Sequence, residues 1–281
     1  MRRLLVLIPV SILLVSPIAD RDGQKPIVTD LKPFVDDGAD LPDAAGLEKL
    51  AGKDPIAFLE NCLRRYHREV KGYTCIMQKQ ERIGDKLLPK EVITTTCREK
   101  PFSVLLHWQE GQRMADAALF VEGDNQEKDK NGLKSMMLVH PAGVAGRIVK
   151  FVSRDPDGEE AHQAGRYTLP ESGIEKGTQR TLASWKAAKA AGKLKVDYLG
   201  EARLPDAGNR LCYKLRRPKY AKPEEDGVTD LTIYVDKETW LQVGSVLKGE
   251  NDQYIAQYFF RDIKLNPDFT RDSFTKQALA K

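Results

Sequence analysis

Thr229-Asp-Leu-Thr-Ile-Tyr-Val-Asp236, then Lys237-Glu-Thr239, then Trp240-Leu-Gln-Val-Gly-Ser-Val-Leu-Lys-Gly249 is the stretch that decides the fold. Leu231, Ile233 and Val235 alternate with Thr232, Tyr234 and Asp236. Successive side chains of a strand point to opposite faces, so this period of two reads as a half-buried strand. Lys237 to Thr239 is too short for a crossover, so the strands it joins must be antiparallel. Asp206-Ala-Gly-Asn209 and Gly249-Glu-Asn-Asp252 carry the same turn chemistry. Strands are therefore expected at 194–203, 210–217, 229–236, 240–249 and 252–264, in one meander.

Upstream, Ile174 to Ala191 reads as a helix ended by Gly192, with Leu182 and Trp185 as its anchors. Residues 153–173 are irregular and rich in Gly, Pro and Asp. A first set of strands is expected at 73–82, 91–98, 102–109, 116–122, 135–141 and 145–152, with 123–134 as a solvated loop. Asp54-Pro55 is a helix start, with Asp as cap and Pro at the first helical position. Leu59, Cys62, Leu63, Tyr66 and Val70 then repeat at helical spacing, and Gly72 is expected to stop the helix. A sheet of about eleven twisted strands must curl or close. Two helices are too few to sandwich it. The expected fold is α+β, mainly antiparallel β: an incomplete half-barrel of about eleven strands with two helices covering its concave face.

Met1-Arg2-Arg3 followed by the apolar run Leu4 to Ala19 reads as a secretory signal peptide over residues 1–19. Pro17 is a poor residue three positions before a cut after Ala19, so an uncleaved N-terminal anchor is the alternative. Residues 20–53, rich in Asp, Gly, Lys and Pro, are expected to be a flexible linker. The folded domain is expected at 54–275, with 276–281 as a tail. The protein is thus expected to be exported, to the periplasm or cell envelope. Its 45 basic and 41 acidic residues nearly balance, which leaves no basic stripe of the kind nucleic-acid binding requires.

Tyr234-Val-Asp-Lys-Glu-Thr-Trp-Leu-Gln-Val, Gln257-Tyr-Phe-Phe-Arg-Asp-Ile-Lys-Leu-Asn-Pro-Asp-Phe and Phe274 resemble the C-terminal half of the periplasmic lipoprotein-carrier (LolA/LppX-like) superfamily. The first half resembles a bacterial domain-of-unknown-function family (DUF1571-like) grouped with those carriers. Its matching residues are Tyr66, Tyr73-Thr-Cys, Lys79, Glu81, Arg82, Arg98-Glu-Lys-Pro-Phe-Ser-Val, Trp108, Leu138-Val-His-Pro-Ala-Gly, Gly146-Arg and Asp155-Pro-Asp-Gly. The resemblance spans roughly residues 55–275. It implies a half-barrel of eleven antiparallel strands whose helices cover an apolar cavity, and a carrier's cavity takes up acyl chains.

The in-facing strand positions are the candidate ligand-binding set: Met77, Leu106, Trp108, Val121, Val139, Tyr213, Leu215, Ile233, Val235, Tyr258 and Phe260. Singly, each reads as core; together they read as the lining of a curved apolar face. Arg98 and Lys100 are either lipid-phosphate contacts or parts of a turn screened by Glu99, and His140 and Arg147 are either rim residues or a hairpin end. Cys75 and Cys97 face each other if the intervening turn centres on Lys86, which allows a cross-strand disulfide; four buried free thiols (with Cys62 and Cys212) are the alternative. Glu127-Lys-Asp129-Lys-Asn131-Gly132 lacks the bidentate Glu of a calcium loop, Asp155-Pro-Asp157-Gly158 reads as a turn, and the histidines lack ligand spacing. No metal, cofactor or catalytic residue is expected. The reading is a non-enzymatic binding protein for a lipid or lipidated protein, with transient membrane contact. The alternative is a structural or protein-interaction component of the envelope without a ligand cavity.

Overall fold

Two antiparallel meanders, one from each half of the chain, join through their first and last strands into one open sheet. The structure is a computed structural model that describes residues 33–130, 132–220 and 227–279. The signal or anchor segment and residues 20–32 of the expected linker lie outside the described residues. The elements run α1 (Ala44–Lys53), α2 (Pro55–Glu69), β1 (Gly72–Ile83), β2 (Lys86–Leu87), β3 (Glu91–Arg98), β4 (Ser103–Glu110) and β5 (Ala115–Val121). Then come β6 (Gln126–Asp129), β7 (Gly132–Ser135), β8 (Met137–Pro141), α3 (Gly143–Ile148), β9 (Val152–Arg154), α4 (Glu159–Ala164) and α5 (Ile174–Ala190). Last are β10 (Asp197–Leu204), β11 (Arg210–Arg217), β12 (Asp230–Asp236), β13 (Gln242–Lys248), β14 (Tyr254–Leu265) and α6 (Lys276–Leu279).

The strand order is β10-β11-β12-β13-β14-β1-β3-β4-β5-β8-β9, with β2 pairing β1. The outer strands β10 and β9 do not pair with each other, so the barrel stays incomplete, as the strand count anticipated. The seam between the halves is the long β1–β14 ladder, from Tyr73 opposite Leu265 to Glu81 opposite Ala256.

Helix α2 starts as its sequence dictates: the Asp54 carboxylate accepts from the Ala57 N–H at 3.1 Å and Pro55 opens the first turn. It stops at Glu69, before Gly72, which serves a different purpose. Gly72 lies in β1, where a Cβ would stand 2.4 Å from the Cys97 carbonyl and 2.6 Å from the Phe269 ring. Leu182 and Trp185 of α5 are buried, as expected, against the sheet under β11 and β12.

Five expectations are corrected. Residues 44–53 of the expected linker form α1, capped by Asp43, with Leu47 and Ala51 buried; three substantial helices, not two, therefore cover the sheet. Residues 145–152 are not a strand: Val144 and Ile148 lie four apart, a helical spacing, and α3 precedes the three-residue β9. The 123–134 loop is solvated but ordered as the β6–β7 hairpin, with Gln126 opposite Ser135. The tail residues 276–279 form α6, whose Ala278 and Leu279 pack with Phe274 on Leu105, Leu119 and Leu138, on the sheet face away from α5. The turn after β1 centres on Asp85, not Lys86, so Cys75 faces Thr95 and Cys97 faces Tyr73. The two thiols are diagonal neighbours on one face, and all four cysteines are free and buried.

Candidate ligand cavity

Alternation along each strand fixes which side chains share the helix-covered inner face. Tyr73, Cys75, Met77, Lys79 and Glu81 of β1 alternate inward; across the ladders they meet Ile93 and Glu91 of β3, and Phe260 and Tyr258 of β14. Leu106 and Trp108 of β4, Ala118 of β5 and Val139 of β8 continue the row. Over this half of the sheet the helical cover is thin. Helix α5 presents Ile174, Gly177, Arg180, Thr181 and Ser184, of which Gly177, Thr181 and Ser184 are small or short, and residues 160–173 close the far side. The space left between them is a cavity of about 380 Å³.

Of the expected ligand set, the fold brings Met77, Leu106, Trp108, Val139, Tyr258 and Phe260 together around this cavity. Tyr213, Leu215, Ile233 and Val235 share the same sheet face but are fully buried under α1, α2 and α5, with Phe58, Leu59 and Trp185. Val121 belongs to the opposite face: it follows the parity of Ala117 and Leu119 and packs with the C-terminal cluster.

One end of the cavity is charged. The Lys79 ammonium lies 2.8 Å from Glu81 Oε2 and 3.0 Å from Glu91 Oε2. Glu81 Oε1 accepts from the Tyr258 hydroxyl at 2.6 Å and from the Arg166 N–H at 3.4 Å. Arg113 Nε stands 3.5 Å from Glu91 Oε1 and its terminal amino group donates to the Ala164 carbonyl at 2.8 Å. Burial works against both charges of the pair, yet it is outweighed: the two carboxylates keep Lys79 above its ordinary value, and Lys79 with Tyr258 and Arg166 keeps Glu81 below its own. These charged residues were absent from the expected set. Their signal was present: Lys79, Glu81 and Glu91 sit at in-facing positions of otherwise apolar alternation.

The remaining motifs are accounted for elsewhere. Arg98 donates to the Ser103 hydroxyl at 2.8 Å and stacks 4.7 Å above the Phe274 ring, so it pins the C-terminal segment on the outer face. Glu99 turns inward, accepts from the Tyr66 hydroxyl at 2.5 Å, and is pushed above the usual carboxylate range by burial. Asp155 and Asp157 are bridged by Lys134 at 2.5 and 3.1 Å, which offsets one of that turn's two charges. His140 lies 3.8 Å from Asp116, and Arg147 is exposed on α3. Among the described residues no three His, Cys, Asp or Glu side chains converge as metal ligands, and no helix is long and apolar enough to cross a membrane.

The family described as protein of unknown function DUF1571 matches residues 70–278, which hold the whole sheet and the cavity. The chain belongs to the DUF1571 family. No curated protein matches this DUF1571 chain. Among solved structures it is similar to a DUF1329 family protein from Desulfovibrio piger, at 12% identity over 81% of this chain and 100% of that one, with a TM-score of 0.40. It is also similar to the Mycobacterium tuberculosis lipoprotein LppX, at 9% identity over 77% and 99% of the two chains and a TM-score of 0.39. A third likeness is to the Pseudomonas aeruginosa MucA/MucB complex: 15% identity over 79% of this chain and 60% of that one, with a TM-score of 0.42. None of these likenesses bears on what the cavity holds.

Proposed function

We propose that this DUF1571 protein is an exported, non-enzymatic binding protein that holds an acyl chain of a lipid or of a lipidated protein in the inner-face cavity. The observation that carries the reading is the uneven filling of one apolar face. Met77, Leu106, Trp108, Val139 and Phe260 border about 380 Å³ of open volume, while the same face is fully packed a few strands away. An acyl chain gains about 0.8 kcal/mol per buried CH₂, so ten methylenes supply roughly 8 kcal/mol without a dedicated polar contact. Met114 of the lining is exposed, and on α3 Val144 and Ile148 are exposed with the bases Arg147 and Lys150 beside them in sequence. That combination suits brief contact with an anionic bilayer from which a chain is taken or to which it is given.

Gly177 supplies the test. A Cβ added there meets nothing within 4 Å, because it points into the open volume. Delipidated protein should bind a fluorescent fatty acid saturably. Gly177→Trp should fold normally and weaken binding by at least about tenfold, the cost of excluding two methylenes. A chain that binds no acyl probe, or binds it equally well with Trp at 177, would move the function to surface features such as the β6–β7 hairpin.

A further inference from the structure

We infer that the charged end of the cavity is a subsite for the acidic head of a single-chain amphiphile, a carboxylate or phosphate oxyanion carried on one acyl chain. The inference rests on the acyl-binding reading above and adds the class of ligand to it. Three observations carry it.

The first is position. Side-chain exposures of 13% for Lys79, 3% for Glu81 and 6% for Glu91 place a salt-bridge network in the wall of an apolar cavity. Such a network stabilises a fold poorly compared with apolar residues of the same volume. It is tied to the cap over that end. Arg113 holds the Ala164 carbonyl, and Gly165 approaches so closely that a Cβ would stand 3.2 Å from Glu81 Oε2 and 3.3 Å from Lys79 Nζ.

The second is unspent donors. An ammonium has three N–H groups; Lys79 donates one to Glu81 Oε2 at 2.8 Å and lies 3.0 Å from Glu91 Oε2 as an ion pair. Arg113 pairs Nε with Glu91 at 3.5 Å and donates from one amino group to Ala164, which among the described residues leaves the other amino group. Arg180 lies against the same end: its guanidinium stacks 3.7 Å above Tyr167, whose ring is 5.8 Å from that of Tyr258. One of its amino groups donates to the Glu171 carbonyl at 2.6 Å.

The third is charge balance. At the mouth, Arg154 and Glu160 of the lining neutralise each other at 2.6 Å. Among the described lining residues, Lys79, Arg113 and Arg180 then face Glu81 and Glu91, and a single negative charge closes that sum. A volume of about 380 Å³ lies near the lower end of small-ligand cavities, roughly 300–1,000 Å³. That favours one chain over several.

The experiment compares ligands of one chain length on the full, delipidated protein: dodecanoate, lauroyl-lysophosphatidylglycerol and dodecanol. Binding is read by calorimetry, and only heat removed by Gly177→Trp counts. At least one oxyanion should bind about tenfold or more tighter than dodecanol, the value of one charge-assisted hydrogen bond. Whichever oxyanion does so identifies the head. Arg113→Gln, with its fold checked by circular dichroism, should shrink that preference several-fold. Equal affinities for the three ligands would overturn the head subsite and leave the acyl cavity standing. Absence of binding by all three would overturn both.

Discussion

The two halves of the inner sheet face are built from the same alternation and end in opposite states. Under β11 and β12, Tyr213, Leu215, Ile233 and Val235 meet Phe58, Leu59 and Trp185 and are fully buried. Under β1, β4 and β8, Met77, Leu106 and Val139 meet α5 at Gly177 and Thr181, and a cavity remains. The difference lies in the cover rather than the strands. Helices α1 and α2, with Leu182 and Trp185 of α5, put large side chains over one half, whereas α5 turns Gly177, Thr181 and Ser184 to the other. Cavity-forming and core-forming strands are therefore chemically alike, and a face becomes a site where its partner withholds volume.

Paired truncations give the sharpest test of that contrast. Trp185→Ala removes a fully buried ring from the filled half and should cost about 3–5 kcal/mol in urea unfolding. Leu106→Ala, bordering space that is already empty, should fall near the lower end for leucine, about 2 kcal/mol. Equal losses at the two positions would show that the open half is as tightly packed as the other. A smaller effect of opposite sign is expected at the cover itself. Gly177→Ala should stabilise the protein by up to about 1 kcal/mol, because alanine is the better helix former and its methyl enters open space. A destabilised Gly177→Ala variant would mean that the space is not available.

The subtlest distinction is in pH dependence. Glu81, at the cavity, is held below its ordinary value, so the stability it contributes is present at neutral pH and lost as pH falls through the carboxylate range. Glu99, against α2, is raised by burial first, so its ionisation works against folding as pH rises above that range. Urea titrations across pH should show Glu81→Gln lowering stability at neutral pH and much less in acid. Glu99→Gln, which can still accept from Tyr66, should raise stability at neutral pH and flatten the profile. The same sign for both variants would contradict the assignment.

Much of this was legible in the chain. The alternation at 229–236 and the short turn after it fixed antiparallel neighbours, and Asp54-Pro55 fixed the start of α2. Local chemistry governed both, so local reading sufficed. It fails where two periods compete over a short stretch, as at 145–152, where Val144 and Ile148 at helical spacing belong to α3. Register was one residue out at the first hairpin, because Gly84-Asp85-Lys86 admits neighbouring turn centres. That single step separated Cys75 from Cys97.

The sequence by itself determined strands, their pairing sense and which side chains of each strand share a face, since these follow from a two-residue repeat and turn length. Only the tertiary structure decided which in-facing residues border empty space: Met77, Leu106, Trp108, Val139, Tyr258 and Phe260, but not Tyr213, Leu215, Ile233 or Val235. An unfilled volume belongs to no residue. It arises from the mismatch between two surfaces brought together from distant parts of the chain, here α5 and the seam of β1 with β14.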